Sequence, residues 1–543
     1  MAKLRYTSFS VLASLVIPCL CAISFNMYDL GLEGVYPNQQ YRSVNFVAPS
    51  MKFTRQDARC NTGNLLLTPS GPGVPRNGRG PVMLDSHGEL IWMGNDRFKT
   101  AVALDIQRYR GEDYLTFWTK AEKSMPAQAH EHRARSYIMV GSLTFCSNQL
   151  TTKLDSSYEV AHIVQPHGVG MVGDSHEFRI TPQNTALITI YHRRQVNCSL
   201  LSLGESCWIQ DGVFQDIDIE TGQLLFQWRS TDHVSLADVF SSPCYKDGYG
   251  TSKKDSFDYF HINSVDKLPT GDYLVSARYL HAVIIISGKD GRIMGQIGGK
   301  NNDFKDLDNA LAFSWQHHAV WHGNNLMTLF DNHANNVFKT RGKHSRGMLI
   351  EVDIENKTAS LLQSFVHPDD VVNVSQGSVQ LLPESGTVLV GFGNSPTFIE
   401  YSRGGRLLCS TRYAPQLLFG ILGFGIVKSY RIFKKPWTGR PKTMPDVVFR
   451  GSTVFVSWNG ATEVVAWRLE YSENLLEENG SNYYTIQELR KDRYETAFQL
   501  NHVHGHVRVV ALDKDSNILA RSRSLTVITT STVSILPCVP SYC

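Results

Sequence analysis

The chain has 543 residues, enough for two or more domains and a large core. Lysine and arginine total 53 against 50 acidic residues, and a net charge of +3 over this length carries no nucleic-acid footprint. With 42 glycines and 10% aromatic residues, the composition fits a turn-rich β protein.

In chain order, residues 1–24 read as a secretory signal: Lys3 and Arg5 lead an apolar run over 10–23 that ends near the small residues Ala22 and Ser24. That run is short for a membrane span, and the later apolar stretch 417–427 is shorter still and broken by Gly420, Gly423 and Gly425. Secretion sets the cysteine reading: without Cys19 and Cys21, eight remain, an even number for an oxidising compartment. Cys198 and Cys207 are spaced to staple one loop, and Cys538 and Cys543 another; the pairing of Cys60, Cys146, Cys244 and Cys409 stays open. Sequons at Asn197, Asn356, Asn373 and Asn479 point to the same compartment as candidate glycosylation sites.

Between residues 80 and 415 short alternating runs separated by turn residues dominate. Three phrases open on histidine and enter a strand: Ser175-His176-Glu177-Phe178, Phe260-His261-Ile262-Asn263 and Gln316-His317-His318-Ala319. A fourth copy, Gln376-Gly377-Ser378-Val379, lacks the imidazole. A second strand–turn–strand phrase recurs between them, as at 214–219 with 224–228, and at 283–286 with 293–297. Together the phrases make four-strand units at spacings of 85, 56 and 59 residues, the period of propeller blades with loop insertions. Residues 25–430 are therefore read as an all-β propeller and 431–445 as a basic, proline-containing linker. Residues 446–530 are read as a fibronectin- or immunoglobulin-like β-sandwich, with a tail at 531–543.

The phrases Asp258-Tyr259-Phe260-His261-Ile262-Asn263-Ser264, Trp315-Gln316-His317-His318, Leu329-Phe330-Asp331-Asn332, Ser345-Arg346-Gly347 and Trp458-Asn459-Gly460 resemble the arylsulfotransferase (ASST) family, in its fungal secreted branch. The resemblance implies a six-bladed propeller with a central funnel. There a phenolic sulfate donor and a phenol acceptor bind in turn, with no nucleotide sulfate donor. It also implies ping-pong transfer through a transiently sulfated histidine, with other histidines, an asparagine and an arginine on the sulfuryl oxygens.

Sulfuryl transfer needs positioned donors and cations around the equatorial oxygens, a neutral imidazole to attack, and a protonated one to discharge the leaving phenolate. His261 and His317 are the catalytic candidates on the family phrases. His318 faces the other way if both lie on one strand. His176, Asn332, Arg346 and Arg278 are the substrate-binding candidates; the two arginines suit a tetrahedral oxyanion.

The chain departs from the family pattern where the sulfated histidine is expected, because the next inner strand opens with Ser375-Gln376-Gly377. His261, His317 or His367 takes its place, or transfer is direct, or the chain is not an active transferase. A non-catalytic secreted binding protein and a metal-dependent enzyme are the alternatives. The reading calls for no cofactor and no metal. Its partners are small phenolic or aryl sulfate molecules, and oligomeric state stays open.

Overall fold

The structure is a computed structural model. It describes residues 27–95, 97–120, 135–141, 157–336, 339–340, 344–416, 419, 425–473, 483–501 and 504–528. The expected signal segment, the tail, Asn479, Cys146, Cys538 and Cys543 lie outside them.

Strands dominate because the apolar runs are short and turn-bounded, and the described chain is all-β. Six sheets follow one another, antiparallel throughout except for one edge strand of the fifth. Sheet 1 joins Phe433–Lys435, Asn64–Leu67, Val82–Leu84 and Leu90–Met93. Sheet 2 joins Val102–Tyr109, Glu112–Lys120, Arg135–Gly141 and Val160–Val164. Sheet 3 runs Gly173–Ile180, Thr185–Val196, Cys207–Asp218 and Leu224–Arg229. Sheet 4 runs Ile262–Lys267, Tyr273–Ala277, Ala282–Ile286 and Ile293–Gly298. Sheet 5 runs His317–Trp321, Leu326–Asp331, Arg346–Asp353 and Thr358–Val366, with Lys305–Leu307 outermost. Sheet 6 runs Ser378–Leu382, Thr387–Gly391, Thr397–Ser402 and Leu407–Arg412, with Lys52–Arg55 added at its edge.

The middle strands of sheet 4 show how these sheets stack. Tyr273–Ala277 and Ala282–Ile286 are buried at every position. Alternate side chains go to opposite faces. Tyr273, Val275, Ile284 and Ile286 pack in a core shared with sheet 3, while Leu274, Val283 and Ile285 pack in a core shared with sheet 5. A sheet covered on both faces reads as a continuous apolar run, which is why Ala282-Val-Ile-Ile-Ile286 does not alternate.

Hydrogen bonds stitch each sheet to the next. Ile180 N–H donates to Gln107 Oε1 (2.8 Å), Tyr191 Oη to Ile262 O (2.9 Å) and Asn263 Nδ2 to Gln316 O (2.7 Å). Val379 N–H donates to His318 Nδ1 (3.2 Å), Lys434 N–H to Gln380 Oε1 (2.8 Å) and Lys435 Nζ to Ile106 O (2.5 Å). The series runs from sheet 2 through sheet 6 to sheet 1 and back to sheet 2. Two covalently distant segments carry the return: Phe433–Lys435 pairs with Asn64–Leu67, and Cys60 is disulfide-bonded to Cys409, 349 residues away.

The stretch 431–445, expected as a linker, therefore supplies a sheet strand. Its lysines misled because basic character implies exposure; Lys434 is instead buried, paired with Glu400 and donating to Cys60 O. Arg431 is buried too, with two bonds to Glu177 (2.7 and 3.0 Å) and one to Asn263 O (3.1 Å). The Cys198–Cys207 pair forms as expected, and Cys244 carries no disulfide among the described residues. The sequon asparagines Asn197 and Asn356 are exposed, but Asn373 is not. Its side chain is fully buried with Oδ1 taken by Ser395 N–H (2.8 Å), which leaves no room for a glycan and corrects that expectation.

Beyond residue 445, Asp446–Arg450, Thr453–Ser457 and Thr496–Gln499 form one sheet. Tyr484–Arg490, Ala466–Ser472, His504–Leu512, Ile518–Arg521 and Leu525–Ile528 form another. Val454, Val456 and Phe498 of the first share one core with Trp467, Leu469 and Val509 of the second. Among the described residues no helix is long and apolar enough to cross a membrane.

Replacing Arg431 with Met strands a buried carboxylate at Glu177, and urea denaturation is expected to read a loss of about 3–5 kcal/mol. The double variant Arg431→Met/Glu177→Leu should recover much of it. A single variant as stable as the parent would show that the pair does not hold the sheets.

Candidate active site

The first strands of sheets 3, 4 and 5 begin irregularly. Their pairing shifts register between Gly173 and Phe178, Ile262 and Ser264, and His317 and Val320. Such bulges re-aim side chains. His261 adds a left-handed backbone at φ 55°, uncommon for a residue with a Cβ and typical of strained functional positions. The result is a cluster: the His176 and His261 rings lie 4.9 Å apart between centroids, and His261 and His317 lie 6.4 Å apart.

Two of the three imidazoles are held by carboxylates. His261 Nδ1 is 2.5 Å from Asp258 Oδ2, and His176 Nδ1 pairs with Asp174 Oδ1. With Nδ1 so engaged, Nε2 is the nitrogen left to meet a ligand in each ring. His317 differs. Its Nδ1 donates to Asn332 Oδ1 (2.7 Å), and its Nε2 accepts the Gln376 N–H (3.3 Å). Asn332 is itself fixed by donating to Asn373 O and Gln376 O (2.9 and 3.0 Å). Gly377 permits this approach: its φ is 114°, and a Cβ there would lie 2.3 Å from Phe330.

Burial, reinforced by His176 and Arg278, pushes His261 well below the usual histidine range. Burial with Arg278 and His261 does the same to His317. Burial raises Asp258 to about 7, while burial of Asp174 is outweighed by His176 beside it and its carboxyl falls below the usual range. His261 and His317 are thus neutral rings near neutrality, and the carboxyl bonded to His261 titrates close to the same pH.

The structure brings together His176, His261, His317 and Asn332. Arg278 joins them: its guanidinium is buried, lies 4.9 Å over the Tyr279 ring and donates to Val374 O (2.8 Å). Arg346 stands two strands out in sheet 5, paired with Asp331 (3.2 Å) and donating to Ala312 O (3.1 Å). His318 turns away from His317 to accept the Val379 N–H, with its ring against Phe433. His367 caps a turn through Asp369 N–H (3.1 Å) and packs edge-on to Phe392.

Sequence reasoning missed Asp174, Asp258 and the aromatic walls. Tyr191 and Tyr279 lie 5.7 and 5.1 Å from His261, and Tyr430 lies 5.5 Å from His176 and 6.3 Å from His317. The aspartates had a signal: Asp174 stands two residues ahead of His176 and Asp258 three ahead of His261. Tyr430 had none, because it arrives from a distant segment. Among the described residues no group of three or more histidine, cysteine or carboxylate side chains is arranged to hold a metal ion.

Fold and site define an all-β protein with a histidine–carboxylate centre where the first strands of its sheets converge. Residues 144–414 match the arylsulfotransferase (ASST) family, and the chain belongs to it. No curated protein matches the chain. Among solved structures, a Bacteroides caccae protein of unknown function is 10% identical, with a TM-score of 0.35 over 68% of this chain and 98% of that one. A Pseudomonas aeruginosa periplasmic gluconolactonase is also 10% identical, with a TM-score of 0.32 over 86% of this chain and 96% of that one.

Asp258 should make the folded state lose stability as pH rises. Its folded pKa of about 7 exceeds the usual carboxylate value, so the native chain holds a proton that the unfolded chain releases between about pH 4 and 7. The melting temperature of Asp258→Asn relative to the parent is expected to climb across that window; a flat difference would place the carboxylate in a less buried setting.

Proposed function

We propose that the chain is a secreted arylsulfotransferase that moves a sulfuryl group from an aryl sulfate to a phenol through His261. The six sheets are read as the blades of a propeller around this cluster, and the sheets beyond residue 445 as a β-sandwich. The two disulfides among the described residues support an oxidising, secretory compartment. Family membership supports the reaction class.

One observation carries the choice of nucleophile: His261 alone joins a family-matched phrase to a carboxylate-held ring whose Nε2 is not spent on the backbone. In the first half-reaction Nε2 attacks sulfur, an N–S bond forms, and the S–O(aryl) bond breaks. The phenolate leaves and takes a proton from the facing His176. Asp258, ionised above about pH 7, accepts the Nδ1–H of His261, which leaves Nε2 free to attack, and offsets the sulfo-imidazolium. In the second half the acceptor phenol gives its proton to His176 as its oxygen attacks sulfur, and the N–S bond breaks. Arg278 supplies the cation for the sulfuryl oxygens, and His317, fixed by Asn332, walls the site beside it. Tyr191, Tyr279 and Tyr430 are flat surfaces suited to an aromatic ring.

His261→Ala is expected to lower transfer from 4-nitrophenyl sulfate to a phenol by about 10³-fold or more. With a ³⁵S-labelled donor and no acceptor, the parent should retain label in a base-stable, acid-labile form. Turnover untouched by His261→Ala would sink the assignment, and turnover without protein labelling would point to direct transfer. Absence of transfer with every aryl sulfate tried would leave the chain as a binding protein.

A further inference from the structure

The histidines sit at the starts of the first strands. At the far ends of the same strands lies a cavity of about 830 Å³, walled by Arg179, Lys267, Trp321, His322 and Lys435. A smaller one of about 260 Å³ shares Arg179, Trp321, His322 and Lys435 with it and reaches inward to Glu177 and Arg431. Glu177 and Arg431 are each one residue from the cluster, next to His176 and Tyr430. The buried ion pair therefore stands between two spaces, the histidine cluster on one side and this chamber on the other.

The chamber has the makings of a binding site. Trp321 offers an aromatic face in both cavities. Arg179 reaches both and is incompletely matched: its ion pair with Asp266 is 3.5 Å long, and burial raises the Asp266 pKa, which weakens that carboxylate as a counter-charge. Lys435 is better neutralised, 2.7 Å from Asp105, and Lys267 lies 2.6 Å from Asp216. Around the larger cavity the cations Arg108, Arg179, Lys267 and Lys435 stand against the carboxylates Asp105, Asp113 and Asp266. Burial lowers His322 to about 4, with Arg179 and Arg403 adding to the shift. Burial also lowers His318, where the strongest charges are Arg431 and Arg179. Both rings stay neutral, so they can give or accept a hydrogen bond without cancelling a ligand's charge.

We propose that this chamber is a second ligand site that takes a small aromatic anion, its ring against Trp321 and its anionic head on Arg179. The planar guanidinium suits sulfate or carboxylate, and the volume admits one aromatic ring with its substituent. The proposal does not depend on sulfuryl transfer at His261.

Isothermal titration of phenyl sulfate, benzoate and phenol into the full chain, in a His261→Ala background that prevents turnover, tests it. At least one of the two anions should bind at a site where Arg179→Ala and Trp321→Ala each raise Kd by about tenfold. Phenol should bind that site more weakly, and the two anion arms tell a sulfate site from a carboxylate site. Binding at the histidine cluster is separable, because it responds to Arg278→Ala and not to Arg179→Ala. If Arg179→Ala fails to fold by circular dichroism, Trp321→Ala and Arg179→Lys carry the test. No anion binding beyond that lost in Arg278→Ala, equal affinity for phenol, or affinity unchanged in both chamber variants would overturn the proposal.

Discussion

The buried pairing of Arg431 with Glu177 is the constraint on which the rest depends. Two opposite charges, each nearly sealed from solvent, are tolerable only where they pair closely and gain further hydrogen bonds. Here the guanidinium meets both carboxylate oxygens and adds the Asn263 carbonyl, so sheets 3 and 4 are tied to a segment late in the chain. That segment continues into Phe433–Lys435, which completes sheet 1 beside Asn64–Leu67. The arginine thus fixes where the chain returns, and the return fixes where Tyr430 stands against His176 and His317.

The site follows from this ring of contacts. Inner strands packed side by side would ordinarily aim their side chains in regular alternation. Bulges and left-handed residues at their starts break that alternation and turn imidazoles toward one another. The conformational cost, of order 1–3 kcal/mol at each such residue, is sustained because the surrounding sheets leave no alternative. Burial, with the neighbouring charges, then lowers the basicity of His261 and His317, and Asp174 and Asp258 hold the rings of His176 and His261 through Nδ1. Past the ion pair, the far ends of the same strands open on a chamber lined by Arg179, Lys267 and Lys435. One row of strands therefore presents different chemistry at its two ends.

Much was legible in the sequence. The strand–turn–strand phrases, the histidines leading them and the Cys198–Cys207 staple all reflect local spacing, and the strands lie where the alternation placed them. Sheet 2 was not read, because the phrases used to find the others do not recur across its strands. The stretch 431–445 was read as a linker because lysine and arginine suggest solvent, whereas Glu177 and Glu400, far away in sequence, draw Arg431 and Lys434 inside. Arg346 matched a family phrase and pairs with Asp331, while Arg278 reached the histidines.

The sequence by itself determined the repeat, the strand class and the family, since each depends on residues near one another in the chain. It also held the clue to the dyads, an aspartate just ahead of a histidine. Only the tertiary structure decided which imidazole keeps a ring nitrogen off the backbone, which arginine faces the cluster, and which tyrosine walls it. Those outcomes depend on register shifts, on the Gln376 amide meeting His317, and on a late segment crossing back to the histidines. Contacts between distant segments set them, and no local pattern encodes such contacts.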